Sequence, residues 1–494
     1  MKNAMFKTIS ALLAVLAIGG IVSSCGDAGA SPTETKAQDA KNDTAVTEAA
    51  DPAAVYGLKS EDFGGKEFTF VVPGRYAECG SDWECFDIYA ETQTGDTVTD
   101  AVYERNAWVE EVYNVKIREN KPANEGAGAM MKNAIAAGDN VGDVLVESFH
   151  ILCSMAQNGY LLDLNTVDSL NLENTWWDQG AIEGISIANK VYMATGDLLI
   201  VDNDATWVLM FNKQMAENYG YDLYSEIDSG SWLFEDFFNM ARGASQDLNG
   251  DGKMKAEDDQ FGLVTAFNTP DALICAAGLT LSVKDQNDIP KMETDLARLS
   301  SVIAEAGEFY TDTKVVYGSN VAMSATIFQG GRGLFYSEVL QCVTRMRESE
   351  TDFGLIPWPK YDETQDNYYS FMIGAAGVAV SLPSTQTDTH MSGIILDAMS
   401  ARSVDTLTVA YYNKALTQKY MRDDTSIRML DIILESRIFD QSQVYLYGWG
   451  GIYNQMLSDL KSGKKETASS WEKLLPTAQA EMEATIAAFE ENGK

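Results

Sequence analysis

Histidine is nearly absent: the 494 residues include two, His150 and His390, far apart in the chain. That leaves few ways to assemble a His-rich zinc site or several imidazole-based catalytic centres. Positive charge is scarce as well. Lys and Arg total 36 against 73 Asp and Glu, a formal charge of -37, and a surface of that sign repels phosphate backbones and anionic lipid heads. Nucleic acid is therefore excluded as a partner. No run of 18 apolar residues follows the first two dozen positions, so no later segment reads as a membrane-spanning helix. Also missing are G-x-S-x-G, H-E-x-x-H and G-x-x-x-x-G-K-[ST], which leaves any catalysis mainly to carboxylates. Besides Cys25, the cysteines are Cys79, Cys85, Cys153, Cys275 and Cys342, with no C-x-x-C and so no metal-cluster spacing. Cys79 and Cys85 are near enough to bridge in an exported protein and equally able to stay thiols. What the chain does have is 45% hydrophobic and 10% aromatic residues, enough for two or three packed lobes.

Residues 1–24 read as an export signal. Lys2 and Lys7 accompany an almost wholly apolar run from Ile9 to Val22, about the length of a signal-peptide core. Val22-Ser23-Ser24-Cys25 sets two small residues before a cysteine, and Gly26 and Asp27 open a polar stretch. This resembles the lipobox of bacterial lipoproteins, with Val22 where Leu is commoner; the other reading is a plain secretory signal with a chance cysteine. The resemblance implies that Cys25 becomes a diacylated N-terminus, and two acyl chains suffice for stable anchoring. From Gly26 to Val55 the composition shifts to Ala, Thr, Asp, Glu, Lys and Pro, with no aromatic residue before Tyr56. Such a stretch cannot bury enough surface to offset its ordering entropy. Residues 25–60 are therefore expected to be a lipid-anchored, disordered tether.

The folded part opens with Lys66-Glu67-Phe68-Thr69-Phe70-Val71-Val72-Pro73-Gly74, a strand ended by Pro and Gly. Val98, Ala101, Val102, Arg105, Trp108, Val109 and Val112 then recur near the helical period, predicting a helix over 97–112 with Asp96 as N-cap. A second helix over 130–137 stops at Gly138, and 142–148 reads as a buried strand. Strand alternating with helix predicts an α/β fold with parallel sheets covered on both faces.

Gly142-Asp143-Val144-Leu145-Val146, Gly159-Tyr160-Leu161-Leu162-Asp163-Leu164, Trp176-Trp177-Asp178, Lys190-Val191-Tyr192-Met193 and Met210-Phe211-Asn212-Lys213 follow one another in an informative order. Phe353-Gly354-Leu355-Ile356-Pro357-Trp358-Pro359 and Tyr447-Gly448-Trp449-Gly450-Gly451 continue it. The chain resembles the extracellular solute-binding proteins (family 1 type) of sugar ABC importers over roughly residues 63 to 460. The resemblance implies a two-lobed periplasmic-binding-protein-like (type II) fold with ligand in the cleft between lobes. One lobe would comprise 61–200 plus 326–380, the other 201–325 plus 381–494. It also implies a monomer that binds a carbohydrate, expected to be an oligosaccharide, and delivers it to membrane permease subunits without altering it. The competing function is a surface-anchored glycoside hydrolase, which needs only two suitably spaced carboxylates.

Sugar rings offer hydroxyls at the edge and C–H patches on the faces, so aromatic platforms beside carboxylates and an Arg are the side chains to seek. In open α/β sheets ligands sit beyond the carboxyl ends of strands. After the first strand come Arg75, Trp83 and Glu84, with Trp83 either in the cleft or covering the edge of the first helix. After the Val144 strand comes Glu147, a cleft group or a solvated carboxylate. Within Asp197 to Trp207, at the first expected crossing, Asp202, Asp204 and Trp207 either line the cleft mouth or form a capped loop and a core indole. Tyr336 and Glu338 end the strand that follows Gly330-Gly331. Tyr445, Tyr447 and Trp449 sit in a Gly-punctuated loop without an evident face to bury them, which makes Trp449 the leading stacking candidate. Trp176, Trp177 and Trp232 read as core, Trp232 as a staple at the start of a helix over 234–241.

Asp247 to Asp258 carries oxygen donors at EF-hand spacing: Asp247, Asn249, Asp251, the Lys253 carbonyl and Asp258, with Gly252 at the turn. Calcium is the natural occupant of such a loop. Asp258 stands where Glu is usual and Lys255 adds positive charge, so the alternative is a metal-free Asx-turn loop. No other cofactor is called for.

Overall fold

The computed structural model describes residues 50–494 except 75–82, 123–125, 266–267, 347–348, 417–423, 446–448 and 493–494. The leader, Cys25 and most of the tether, along with Arg75, Cys79 and Tyr447, lie outside the described residues. The strands in chain order are β1 (Lys66–Val71), β2 (Val115–Asn120), β3 (Val144–Ser148), β4 (Thr206–Asn212), β5 (Phe261–Thr265), β6 (Val283–Lys284), β7 (Pro290–Lys291), β8 (Val316–Tyr317), β9 (Gly333–Val339), β10 (Phe353–Ile356), β11 (Ser370–Met372), β12 (Val378–Ser381) and β13 (Arg437–Ile438).

Local chemistry accounts for the first elements. Phe68 and Phe70 of β1 are fully buried and meet edge to face at 5.3 Å. The helix Thr97–Tyr113 begins where the Asp96 carboxylate accepts from the amides of Val98 (3.2 Å) and Thr99 (3.0 Å), and ends at Asn114 in the left-handed region. Arg105, on its buried face, is satisfied by the carbonyls of Ile88 (2.8 Å) and Leu198 (3.2 Å) and by Asn106 Oδ1 (3.0 Å). The helix Ala127–Ala137 stops at Gly138, and β3 is buried along its whole length.

Two sheets result. In the first, ordered β12-β3-β1-β2, β1 is parallel to β2 and β3, and β12 runs antiparallel to β3. The second is ordered β13-β11-β4-β9-β5-β8, with β10 also paired to β4. Its centre is dry: every residue of β4, β5 and β9 is buried. The chain crosses from the first sheet to the second at 201–205, just before β4, and returns at 373–377, between β11 and β12. The two crossings touch, Ile373 N donating to Ala205 O at 3.1 Å. A Cβ on Gly374 would lie 2.7 Å from His150 Nε2, so a larger residue there must displace the imidazole. By their pairing, the carboxyl ends of β1 and β3 and those of β5, β9 and β11 are the ends next to these crossings.

A separate contact joins the hairpin β6–β7 to the turn at 186–190. The Asp288 carboxylate accepts from Ser186 Oγ (3.0 Å) and Asn189 N (2.9 Å), and Ala188 N donates to Asp288 O (2.9 Å). Lys284 Nζ bonds Ser186 Oγ at 2.9 Å and pairs with Asp288. Ala188, Asn189 and Asp288 all have positive φ, so two tight turns interlock. The helix Thr467–Asn492 packs on both Phe149–Gln157 and Leu296–Tyr310.

Two expectations change. The range 326–380 does not stay with the first sheet: β9, β10 and β11 pair with β4 in the second, and within that range only 378–380 belongs to the first; conversely, within 381–494, Ser381 ends β12 and the helix Thr389–Asp405 packs on Thr97–Tyr113 and the first-sheet core. Those pairings are long-range and antiparallel, which local patterning does not encode. The tether also ends earlier than residue 60. The compact unit starts at Asp51, whose carboxylate accepts from Ala53 N and Ser60 N, both at 2.9 Å. Tyr56 then docks, donating to Asp405 Oδ2 at 2.7 Å and meeting Trp108 edge-on.

Candidate functional site

The first crossing is short and acidic. Its helix, Val201–Asp204, receives the Asp87 carboxylate at its start, Oδ2 accepting from Ile200 N (2.8 Å) and Val201 N (3.2 Å). Asp202 and Asp204 then point to different partners. Asp204 Oδ1 accepts from the buried Tyr411 hydroxyl at 3.0 Å. Asp202, 1% exposed, accepts from Thr195 Oγ1 (3.2 Å) and from Arg437 Nη1 (3.2 Å). Arg437 Nη1 also donates to Asn203 Oδ1 (3.0 Å), and its Nη2 to Asp178 Oδ2 (2.7 Å). Burial pushes the Asp202 carboxyl up to about 6 despite the guanidinium beside it, while the two carboxylates raise Arg437 against its own desolvation. The crossing is thus a buried polar junction between the sheets.

The remaining candidates separate. Trp207 lies on the inner face of β4, 1% exposed, its indole donating to Ser337 Oγ at 2.7 Å. Tyr336 and Glu338 alternate with Ser337 on β9 and so occupy the opposite face. Tyr336 packs on Phe328 and accepts from Cys342 Sγ at 3.6 Å. Glu338 is 6% exposed, its carboxyl raised by burial. Glu147, at the end of β3, accepts from Gly128 N (3.1 Å) and Ser148 N (2.9 Å), so it is a buried, bonded group rather than a solvated one. Trp83 is half-buried and packs against two of the large apolar clusters; Glu84 is exposed. Trp449 departs furthest from expectation. It is fully buried, stacked on Tyr445 at 5.7 Å and 8°, with Nε1 donating to Thr485 Oγ1 at 3.0 Å. The Gly-rich loop offers no face of its own; the helix Thr467–Asn492 supplies one. Trp176 and Trp177 are core as expected, both indoles donating to Asp397 Oδ1, and Trp232 donates to the Pro357 carbonyl at 3.1 Å.

Several groups escaped the sequence reading. Arg437 sits in a two-residue strand, too short to show a period, and Asp178 reads locally as a helix cap, which it also is, Oδ1 accepting from Ala181 N. A second polar cluster lies beyond β5: the hydroxyls of Thr265, Thr269 and Ser337 form a chain from Trp207, and Tyr453 donates to Asp271 Oδ1 at 3.3 Å. Asp271 is buried and its carboxyl is pushed up to about 6. Thr265 at the end of β5 and Thr269 after it were the available signal.

The Asp247 loop closes on itself. Asp247 accepts from Gly250 N and Gly252 N, both at 2.7 Å, Asn249 Oδ1 from Asp251 N, and Asp251 Oδ1 from Lys253 N, each at 2.9 Å. The Lys255 ammonium pairs with Asp251, and Asn249 Nδ2 reaches Asp258 Oδ2 at 3.4 Å. Among the described residues no three acidic, His or Cys side chains converge as a metal site. As arranged here, the loop is an Asx-turn closed by Lys255.

No family model matches the chain, and no curated protein matches it by sequence. Solved structures do. A cyclo/maltodextrin-binding protein complexed with maltotetraose aligns with 86% of this chain and 96% of its own length, at 10% identity and a TM-score of 0.54. UspC of M. tuberculosis covers 84% and 99%, at 14% identity and 0.55. The ABC substrate-binding protein Lmo0181 from Listeria monocytogenes, in complex with cycloalternan, covers 86% and 99%, at 12% identity and 0.50. The fold is that of the two-lobed periplasmic binding proteins. In that fold the two sheets described above are the cores of the lobes, and the chain passes between them at 201–205, at 373–377 and again between β12 and β13. Among the described residues no helix is long and apolar enough to cross a membrane.

Proposed function

We propose that this chain is the substrate-binding component of an ABC importer, capturing a carbohydrate, an oligosaccharide in particular, between its lobes and handing it unaltered to the permease. The observation that carries the reading is the near end-to-end likeness to solved binding proteins, two of them in complex with maltotetraose and cycloalternan. Supporting it, the polar groups at the crossings are arranged to hold rather than to react: Asp178 and Asp202 are engaged by Arg437, and Glu147 by backbone amides. The protein acts as a monomer and not as an enzyme. It sits on the extracytoplasmic face of the cell membrane through an acylated Cys25, with residues 26–50 as spacer. The test is to incubate the chain lacking residues 1–25 with a glycan panel, recording melting temperature and products together. A bound transport ligand raises the melt by mass action and is recovered intact; cleavage of that glycan would favour a hydrolase, and no shift with any glycan would remove the carbohydrate.

A further inference from the structure

Arg437 binds together parts of the two lobes. Its backbone is on β13, paired with β11 at Ser370↔Arg437 and Phe371↔Ile438, immediately before the second crossing. Its guanidinium reaches Asp202 and Asn203 of the first crossing and Asp178 beyond it. Asp178 belongs to the first lobe, since the neighbouring chain is bridged to the first sheet through Trp177↔Gly196 and Ala194↔Val380. One side chain therefore spans the crossings at 201–205 and 373–377 and both lobes.

Two buried atoms at this junction have no hydrogen-bond partner among the described residues: Arg437 Nε and Asp202 Oδ1. One is a donor and the other an acceptor, on side chains already in contact. Buried polar atoms left unpaired are costly, and a guanidinium prefers a two-bond fork on a single carboxylate. We propose that Arg437 is the positioning residue that sets the angle between the lobes. In the arrangement seen it is shared between Asp178 and Asp202. Rotation of the lobes releases Asp178 and frees Nη2, and the Nε–Nη2 edge of the guanidinium turns onto the two oxygens of Asp202, so the junction has two discrete settings instead of a continuum. A ligand that stabilises one lobe angle then works with or against the Asp178 bond, and the strength of that bond enters the affinity. The inference rests on the carbohydrate-binding reading for its ligand measurement alone.

The test uses the mature chain with Cys25→Ser, to leave out acylation, as wild type, D178N and R437K, with R428Q at the exposed Arg428–Asp228 pair as control. The D178N substitution keeps the oxygen that caps the helix Gln179–Ile185 and loses the charge; R437K keeps the charge and loses the fork. X-ray scattering without ligand, affinity for the glycan found in the panel, and melting temperature are measured on each. The expected result is that D178N and R437K change the ligand-free scattering profile and shift the dissociation constant by about 5-fold or more, while R428Q changes neither. Lowered melting temperatures with wild-type scattering and affinity would make the junction merely structural and overturn the proposal. Should R437K fail to fold, D178N decides alone. Should the wild type bind no glycan, the carbohydrate reading falls while the ligand-free scattering still settles the role of Arg437.

Discussion

Besides the helix Thr467–Asn492, which packs on elements of both lobes, two polar contacts between the lobes are opposite in character. The Arg437 junction is dry, its guanidinium 8% and Asp202 1% exposed, and it sits on the crossings. The clasp between the hairpin β6–β7 and the turn at 186–190 is wetter, with Lys284 19% and Asp288 15% exposed, and depends on backbone amides as much as on charge. Buried charges are unforgiving because losing one partner strands the others, whereas a rim contact retains water as a substitute. The first contact should therefore govern stability and lobe geometry, and the second should only trim them.

The comparison breaks most visibly at Arg437. R437A leaves Asp178 and Asp202 without their cation, and urea unfolding should show a loss of about 3–5 kcal/mol; a loss below about 1 kcal/mol would mean the junction is hydrated in solution. Next comes pH. Asp202 and Asp271 are raised from the ordinary 3.8 to about 6 by burial, so the folded state holds more protons than the unfolded one between those values. Stability is then gained as pH falls from 7 to 5, by on the order of 1 kcal/mol per group, and calorimetry should find a higher Tm at pH 5 than at pH 7. A Tm that falls over that range would mean both carboxyls are hydrated. A smaller effect is expected from D288N, which keeps a residue at ease in the left-handed region and an oxygen for Asn189 N but loses the pairing with Lys284. Its cost should be about 1 kcal/mol or less, and a loss as large as that of R437A would erase the distinction between the contacts. Smallest is the Asp247 loop, remote in character from either contact: excess chelator and added calcium should leave the Tm unchanged, and a calcium-reversible shift would restore the EF-hand reading.

Where residues near in sequence decide the outcome, the sequence was readable. The strand at 66–71, the helix capped by Asp96, the stop at Gly138, and the core roles of Trp176, Trp177 and Trp232 follow from period, cap and turn chemistry within a dozen residues. The acidic crossing at 197–207 was legible as a polar break between apolar elements, and the order of weak motifs carried the two-lobed fold. Trp449 failed for the opposite reason: its loop lacks a face, and the helix that buries it begins almost twenty residues later. Trp207, Tyr336 and Glu338 were identified together, yet strand alternation sends Trp207 and Tyr336 to opposite sides of one sheet.

Composition and local pattern by themselves determined that the chain is acidic, α/β, and built to pack more than one lobe, since apolar periodicity and net charge are properties of the linear polymer. Only the tertiary structure decided that 333–372 completes the second sheet, that Asp178, Asp202 and Arg437 share one buried site, and that two distant turns interlock. Each joins residues tens to hundreds of positions apart, and the free energy that selects such pairings arises when water leaves all the partners at once.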